Sequence, residues 1–183
     1  MTAARPVPDR WTGAVTDHIF VGGRVVLDAS FGAARARLGL LAGAGMLQRA
    51  CEAAYSEGIA GLAAAGSPAG LSRLAGVRLA DLAGTDDCAR VALRWEAIAA
   101  DGELFAALDA DLMLTPAGDQ ITVLALAGGY RRQPGLAGAG PDRAIVRRFA
   151  EATIRSFMAR LACALVHPAG AAGPAGRDPP PTT

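Results

Sequence analysis

Branched and aromatic residues crowd the stretch from His18 to Ser30, HIFVGGRVVLDAS, which predicts a strand in which Gly22-Gly23 permit a bulge or sharp bend. From Phe31 the spacing of apolar positions changes to three and four. One helix is expected from Phe31 to about Ala42, Gly43 and Gly45 break it, and a second follows from Met46 to about Ala65. In that second helix Leu47, Cys51, Ala54, Gly58 and Leu62 share a face, with Gln48, Arg49, Glu52 and Glu57 largely elsewhere. Gly66-Ser67-Pro68-Ala69-Gly70 closes the helical hairpin, and Val77 to Leu82 alternates as a further strand.

The next segments carry register information. Asp101-Gly102 is a two-residue hairpin signal between Arg90–Ala99 and Leu104–Thr115, because both central positions of such a turn need positive φ. It places Arg94 opposite Asp109, Trp95 opposite Leu108, Leu93 opposite Ala110 and Val91 opposite Leu112, so that one face is apolar and the other carries charge. A second turn centred on Ala117-Gly118 pairs Leu112 with Val123, Leu114 with Ile121 and Ala110 with Ala125. On that register Val123 joins the apolar face and Tyr130 the polar one.

Gly135 to Gly140 forms a connector, and Pro141 with Asp142 suits the start of a long final helix reaching about Val166. Ile145, Phe149, Thr153, Phe157, Leu161 and Leu165 recur every four residues along one side. Arg143, Arg147, Glu151 and Arg155 recur on another, the pattern of a solvated face with weak ion pairs.

Composition narrows the function classes. At 183 residues and 52% hydrophobic content the chain suits one domain with a substantial core. The division expected is 1–16 flexible, 17–167 folded and 168–183 a disordered Pro/Gly-rich tail. The 18 basic residues are all arginine and dispersed, and the net charge is +1, which argues against a nucleic-acid surface and excludes lysine-dependent chemistry. No apolar run predicts a membrane span and the N-terminus does not read as a secretory signal, so a cytoplasmic location is expected. Cys51, Cys88 and Cys163 are odd in number and set among apolar or small residues, so buried free thiols are expected.

The order of strand, helical hairpin, antiparallel strands and long C-terminal helix is that of the helix-grip fold. Leu93-Arg94-Trp95-Glu96-Ala97, Leu108-Asp109-Ala110-Asp111-Leu112 and Ala127-Gly128-Gly129-Tyr130-Arg131, followed by the helix through Asp142-Arg143 to Phe157, resemble bacterial members of the SRPBCC superfamily. That superfamily contains START lipid-transfer domains, polyketide cyclases and plant allergen-type proteins. The resemblance spans about residues 18 to 166 and implies an α+β fold, a curved antiparallel sheet gripping the helix around a cavity for a hydrophobic molecule. The chain departs from it in having room for five or six strands where seven are usual.

The cavity candidates are Leu93, Trp95, Leu108, Leu112, Val123, Phe149, Thr153 and Phe157. Alanines on the same apolar face, Ala97, Ala106, Ala110, Ala125 and Ala127, leave either a close approach of the helix or hydrocarbon-lined space. The polar-face candidates are Arg94, Glu96, Asp109, Asp111 and Tyr130. They are readable as an acid–base set, but more simply as a solvated face or a contact with a second copy. His18 and His167 lie at opposite ends of the fold, so no metal site, cofactor or catalytic residue is assigned. The leading expectation is a carrier or binding domain for a lipid, polyketide or isoprenoid. A cyclase or aromatase-like enzyme and a ligand-free protein-binding module are the alternatives.

Overall fold

The computed structural model describes residues 18–64, 73–98, 104–132 and 143–167. The expectations for 1–16 and 168–183, the turn at Asp101-Gly102, the closure at Gly66 to Gly70, the connector Gly135 to Gly140 and the helix start at Pro141-Asp142 lie outside them. The elements run β1 (His18–Asp28), α1 (Phe31–Gly43), α2 (Met46–Ala64), β2 (Arg73–Leu79), β3 (Ala83–Gly84), β4 (Ala89–Ile98), β5 (Leu104–Gly118), β6 (Ile121–Arg132) and α3 (Arg143–Val166). The six strands form one antiparallel sheet in the order β1-β6-β5-β4-β2, with β3 beside β4. β1 and β6 pair without interruption through Gly22-Gly23, so the bulge allowed there by sequence does not form.

Strand periodicity sorts the side chains. On β4, Ala89, Val91, Leu93, Trp95 and Ala97 are buried, while Arg90, Ala92, Arg94 and Glu96 face the other way. The inner face is covered by α3, which packs against β1 on one flank and α2 on the other. The four-residue repeat of the sequence is the buried stripe of α3: Phe149, Thr153, Phe157, Leu161 and Leu165 are each no more than 2% exposed, while Arg147, Glu151 and Arg155 are exposed. Twenty-four residues make a helix about 36 Å long, and its apolar stripe is what anchors it. Its C-terminal end is held by α1, where the Arg37 guanidinium donates to the Leu165 carbonyl at 2.6 Å and the Val166 carbonyl at 3.4 Å. These are carbonyls that no further turn of helix would satisfy, at the negative end of the dipole. At the β1–α1 junction the buried Thr122 hydroxyl donates to the Ala29 carbonyl at 2.8 Å, tying the start of β6 to the chain leaving β1.

The β4–β5 register is the one expected, with Arg94 opposite Asp109, Trp95 opposite Leu108 and Val91 opposite Leu112. The β5–β6 register is not. Leu112 faces Leu126 rather than Val123, a displacement of three positions, because the chain reverses at Asp119-Gln120 after an irregularity between Pro116 and Gly118. An odd displacement exchanges the faces of a strand. Leu124, Leu126 and Tyr130 therefore point inward, and Val123, Ala125 and Ala127 lie on the outer side. The close seat of Gly128 supports this register: a Cβ there would fall 2.4 Å from both the Ala110 Cβ and the Asp109 carbonyl oxygen. The cysteines are free, but only Cys51 is buried; Cys88 is half-buried and Cys163 exposed, since Cys163 lies on the solvent side of α3.

Candidate functional site

Beneath α3 the inner face of the sheet is built from aromatic rings. The Trp95 indole on β4 donates its Nε1–H to the Tyr130 hydroxyl on β6 at 3.1 Å, and both residues are essentially inaccessible. Phe157 of α3 meets Trp95 edge-on with ring centroids 6.2 Å apart, and Phe149, a little over two turns earlier, meets Tyr130 at 6.4 Å and Tyr55 of α2 at 5.2 Å. Edge-to-face rings at these separations are favourable contacts beyond the area they bury. Burial drives the Tyr130 phenol far above its ordinary range, reinforced by the nearby Tyr55 and opposed by the Trp95 hydrogen bond. It is a neutral hydrogen-bonding group at any physiological pH. Burial likewise pushes the Cys51 thiol up to about 12, which makes it an inert core residue.

The α2 side of the same helix is different. Gly58 on α2 comes so close to α3 that a Cβ at that position would lie 2.3 Å from the Thr153 hydroxyl and 2.7 Å from the Phe149 ring. Thr153 is fully buried, and its hydroxyl has no hydrogen-bond partner among the described residues. Next to this contact a groove of about 440 Å³ opens between the helices, lined by Gly58, Gly61, Phe149 and Ala152, with Glu57 and Arg148 among its polar residues. Glu57 of α2 accepts hydrogen bonds from Ser156 and Arg160 of α3, strapping the two helices together along the seam.

The outer face of the sheet carries the charged candidates. Arg90 meets Asp111 with two parallel hydrogen bonds of 2.8 and 2.7 Å. Arg94 donates to Glu96 at 2.9 Å and to Asp109 at 3.2 Å, and Arg131 joins Asp109 from β6. The Glu96 hydrogen bond and the charge of Asp109 hold the Arg94 guanidinium above even its usual high range. The carboxylates are thus occupied by arginines in a half-exposed network, and each pair contributes little in solvent. A shallow depression of about 520 Å³ lies among these side chains.

A strand, a helical pair, a run of antiparallel strands and a long helix laid against the sheet's inner face settle the architecture. The chain has the helix-grip fold. No family model and no curated protein matches its sequence. Among solved structures it is similar to a conserved protein from Geobacillus kaustophilus, at 11% identity and a TM-score of 0.48 over 80% of this chain and 95% of that one. It is also similar to a START superfamily protein from Mycobacterium smegmatis, at 12% identity and a TM-score of 0.41 over 82% and 97%. A norcoclaurine synthase from Thalictrum flavum aligns at 10% identity and a TM-score of 0.41 over 91% and 96%. At these identities and scores the likenesses carry nothing about activity, and the fold assignment rests on the helix-grip topology itself.

That topology brings seven of the eight cavity candidates together. Leu93, Trp95, Leu108 and Leu112 on the sheet face Phe149, Thr153 and Phe157 on α3, all of them buried. Val123 stands apart on the outer side of β6. Of the polar-face candidates, Arg94, Glu96, Asp109 and Asp111 share the outer face, whereas Tyr130 belongs to the interior as the partner of Trp95. Sequence reasoning missed Gly58, Gly61 and Tyr55. Gly58 is legible as a small residue on the apolar face of α2, but its contact with Phe149 and Thr153 of α3 is not. Among the described residues, no three His, Cys, Asp or Glu side chains are arranged to hold a metal ion, and no helix is long and apolar enough to cross a membrane.

Proposed function

We propose that this chain binds a small, mostly apolar molecule bearing a single hydrogen-bonding group, seated in the seam between α2 and α3. The observation that carries this reading is the mostly apolar groove of ligand size between the helices, which opens next to the Gly58–Thr153 contact, where the buried Thr153 hydroxyl has no partner among the described residues. An unsatisfied buried hydroxyl costs about 1–3 kcal/mol, and a ligand oxygen would recover that cost where α2 and α3 part at Gly58 to let it reach Thr153. Gly58, Gly61, Phe149 and Ala152 supply the apolar contact, and 440 Å³ falls within the range of small-molecule sites. The aromatic floor under Phe149 gives the site a rigid base.

The geometry favours binding over catalysis. The carboxylates that an acid–base mechanism would use are on the outer face, paired with arginine, while the interior offers hydroxyl and indole groups that stay neutral. The ionisable groups at the groove itself are Glu57, already engaged by Ser156 and Arg160, and Arg148.

Native mass spectrometry of the purified full chain, repeated after denaturing extraction, tests the reading. A released adduct of a few hundred daltons is expected from wild type. Gly61→Leu should remove it without unfolding the protein, because a Cβ at Gly61 meets nothing within 4 Å and the larger side chain is free to fill the groove. An adduct retained at full occupancy in Gly61→Leu would place the ligand elsewhere.

A further inference from the structure

β1 is the end strand of the sheet, so along its 11 residues one row of backbone N–H and C=O groups has no strand partner among the described residues. Such an edge is a template for pairing unless it is blunted by proline, lysine, a bulge or brevity. β1 is eleven residues long, has no proline, and its ladder to β6 is unbroken; its charged side chains are Arg24 near the middle and Asp28 at the end, which leaves the stretch from Ile19 to Gly23 without charge. A groove of about 490 Å³ runs between Phe20–Val25 and the α3 residues Glu151, Ile154, Arg155 and Met158, so the helix, which packs on β1 at Gly23 through Ile154 and Met158, does not fill the space beside the strand. The strand also holds two of the largest exposed apolar side chains, Phe20 at 85% and Val26 at 62%, both on the outer face of the sheet.

We propose that β1 pairs antiparallel with β1 of a second copy about a two-fold axis through Gly23, joining two sheets into one. Antiparallel strands pair residues of like hydrogen-bonding direction, so only registers that match odd with odd and even with even positions are allowed. Centred on Gly23, the register sets Phe20 opposite Val26, Val21 opposite Val25, Ile19 opposite Leu27 and position 18 opposite Asp28. Each exposed apolar side chain on the outer face then covers the other, twice per dimer. The neighbouring registers lack this match. Centring on Gly22 puts Phe20 against Arg24, and centring on Arg24 puts two arginines face to face on the axis, a like-charge pair that destabilises a ladder. From α3 the groove contributes Glu151 and Arg155, so two grooves related by the axis are of mixed and not of like charge.

Analytical ultracentrifugation of the full chain from about 1 to 100 μM decides it, spanning the affinities expected of weak to moderate dimers. Wild type is expected to dimerise in this range. Phe20→Lys and Val26→Glu, both at exposed positions that leave the monomer fold intact, should each weaken the dimer by about tenfold or more, since two symmetric contacts are lost at once. Mixing the two variants should restore association, because one cross-strand pair becomes an ion pair and the other remains Phe–Val. A monomeric wild type over the whole range overturns the proposal. So does single-variant dissociation without restoration on mixing, which would mean a different register or a different surface. Ligand occupancy in native spectra is independent of this outcome, since the α2–α3 seam is built within one copy.

Discussion

The two flanks of α3 solve opposite problems. Toward the sheet, Phe157 and Phe149 press on Trp95 and Tyr130, whose polar groups satisfy each other in a 3.1 Å hydrogen bond. Toward α2, Gly58 stands where no side chain fits, the Thr153 hydroxyl has no partner among the described residues, and a groove opens. Aromatic burial on the first flank holds the helix in place, which allows the second to remain incompletely packed. Stability and room for a ligand are therefore assigned to different sides of one helix.

The comparison breaks most severely at its rigid side. Trp95→Ala removes the largest fully buried side chain and leaves the Tyr130 hydroxyl without its donor, so it should cost about 3–5 kcal/mol in urea denaturation. On the looser flank, Gly58→Ala sets two effects against each other. Alanine improves helix propensity by up to about 1 kcal/mol, but its methyl group would strike both Thr153 and Phe149, and overpacking of this kind costs about 1–3 kcal/mol. A net loss, measured as a lower thermal midpoint, is the expected result; a gain would mean that α2 slides freely over α3. The smallest and most diagnostic change is Thr153→Val, which keeps the shape and removes the unpartnered hydroxyl. The unliganded protein should become more stable by about 1 kcal/mol while adduct occupancy falls, a combination that a purely structural threonine would not produce.

How much of this was legible follows from the redundancy of each signal. In α3 the apolar and charged rows are separate, so its buried stripe could be named residue by residue. The β4–β5 register was legible because Asp101-Gly102 lies between strands whose alternate positions differ in character, as Arg94 and Trp95 do. β6 offered no such contrast: Val123 and Ala125 on one parity are as apolar as Leu124 and Leu126 on the other. Periodicity could not choose between them, and a reversal at Asp119-Gln120 instead of Ala117-Gly118 was enough to exchange the faces. Tyr130 and Val123 changed sides for that reason alone. Gly128 held the missing information, since only one register sets it against Ala110, where no Cβ fits. The α2–α3 seam was out of reach because it depends on two helices far apart in sequence lying side by side.

Arg37 gives the long helix a fixed end. With its guanidinium on the carbonyls of Leu165 and Val166, the C-terminus of α3 is tethered to α1, while Phe149 and Thr153, which line or adjoin the groove, sit nearer the opposite terminus. A widening of the seam is then expected as a swing about the far end, one that parts the Glu57 contacts with Ser156 and Arg160 and in which displacement grows with distance from residue 165. Backbone amides around 149–153 should then exchange with solvent ahead of those around 161–165, and a bound guest would be recorded as a slowing of the first group with little change in the second.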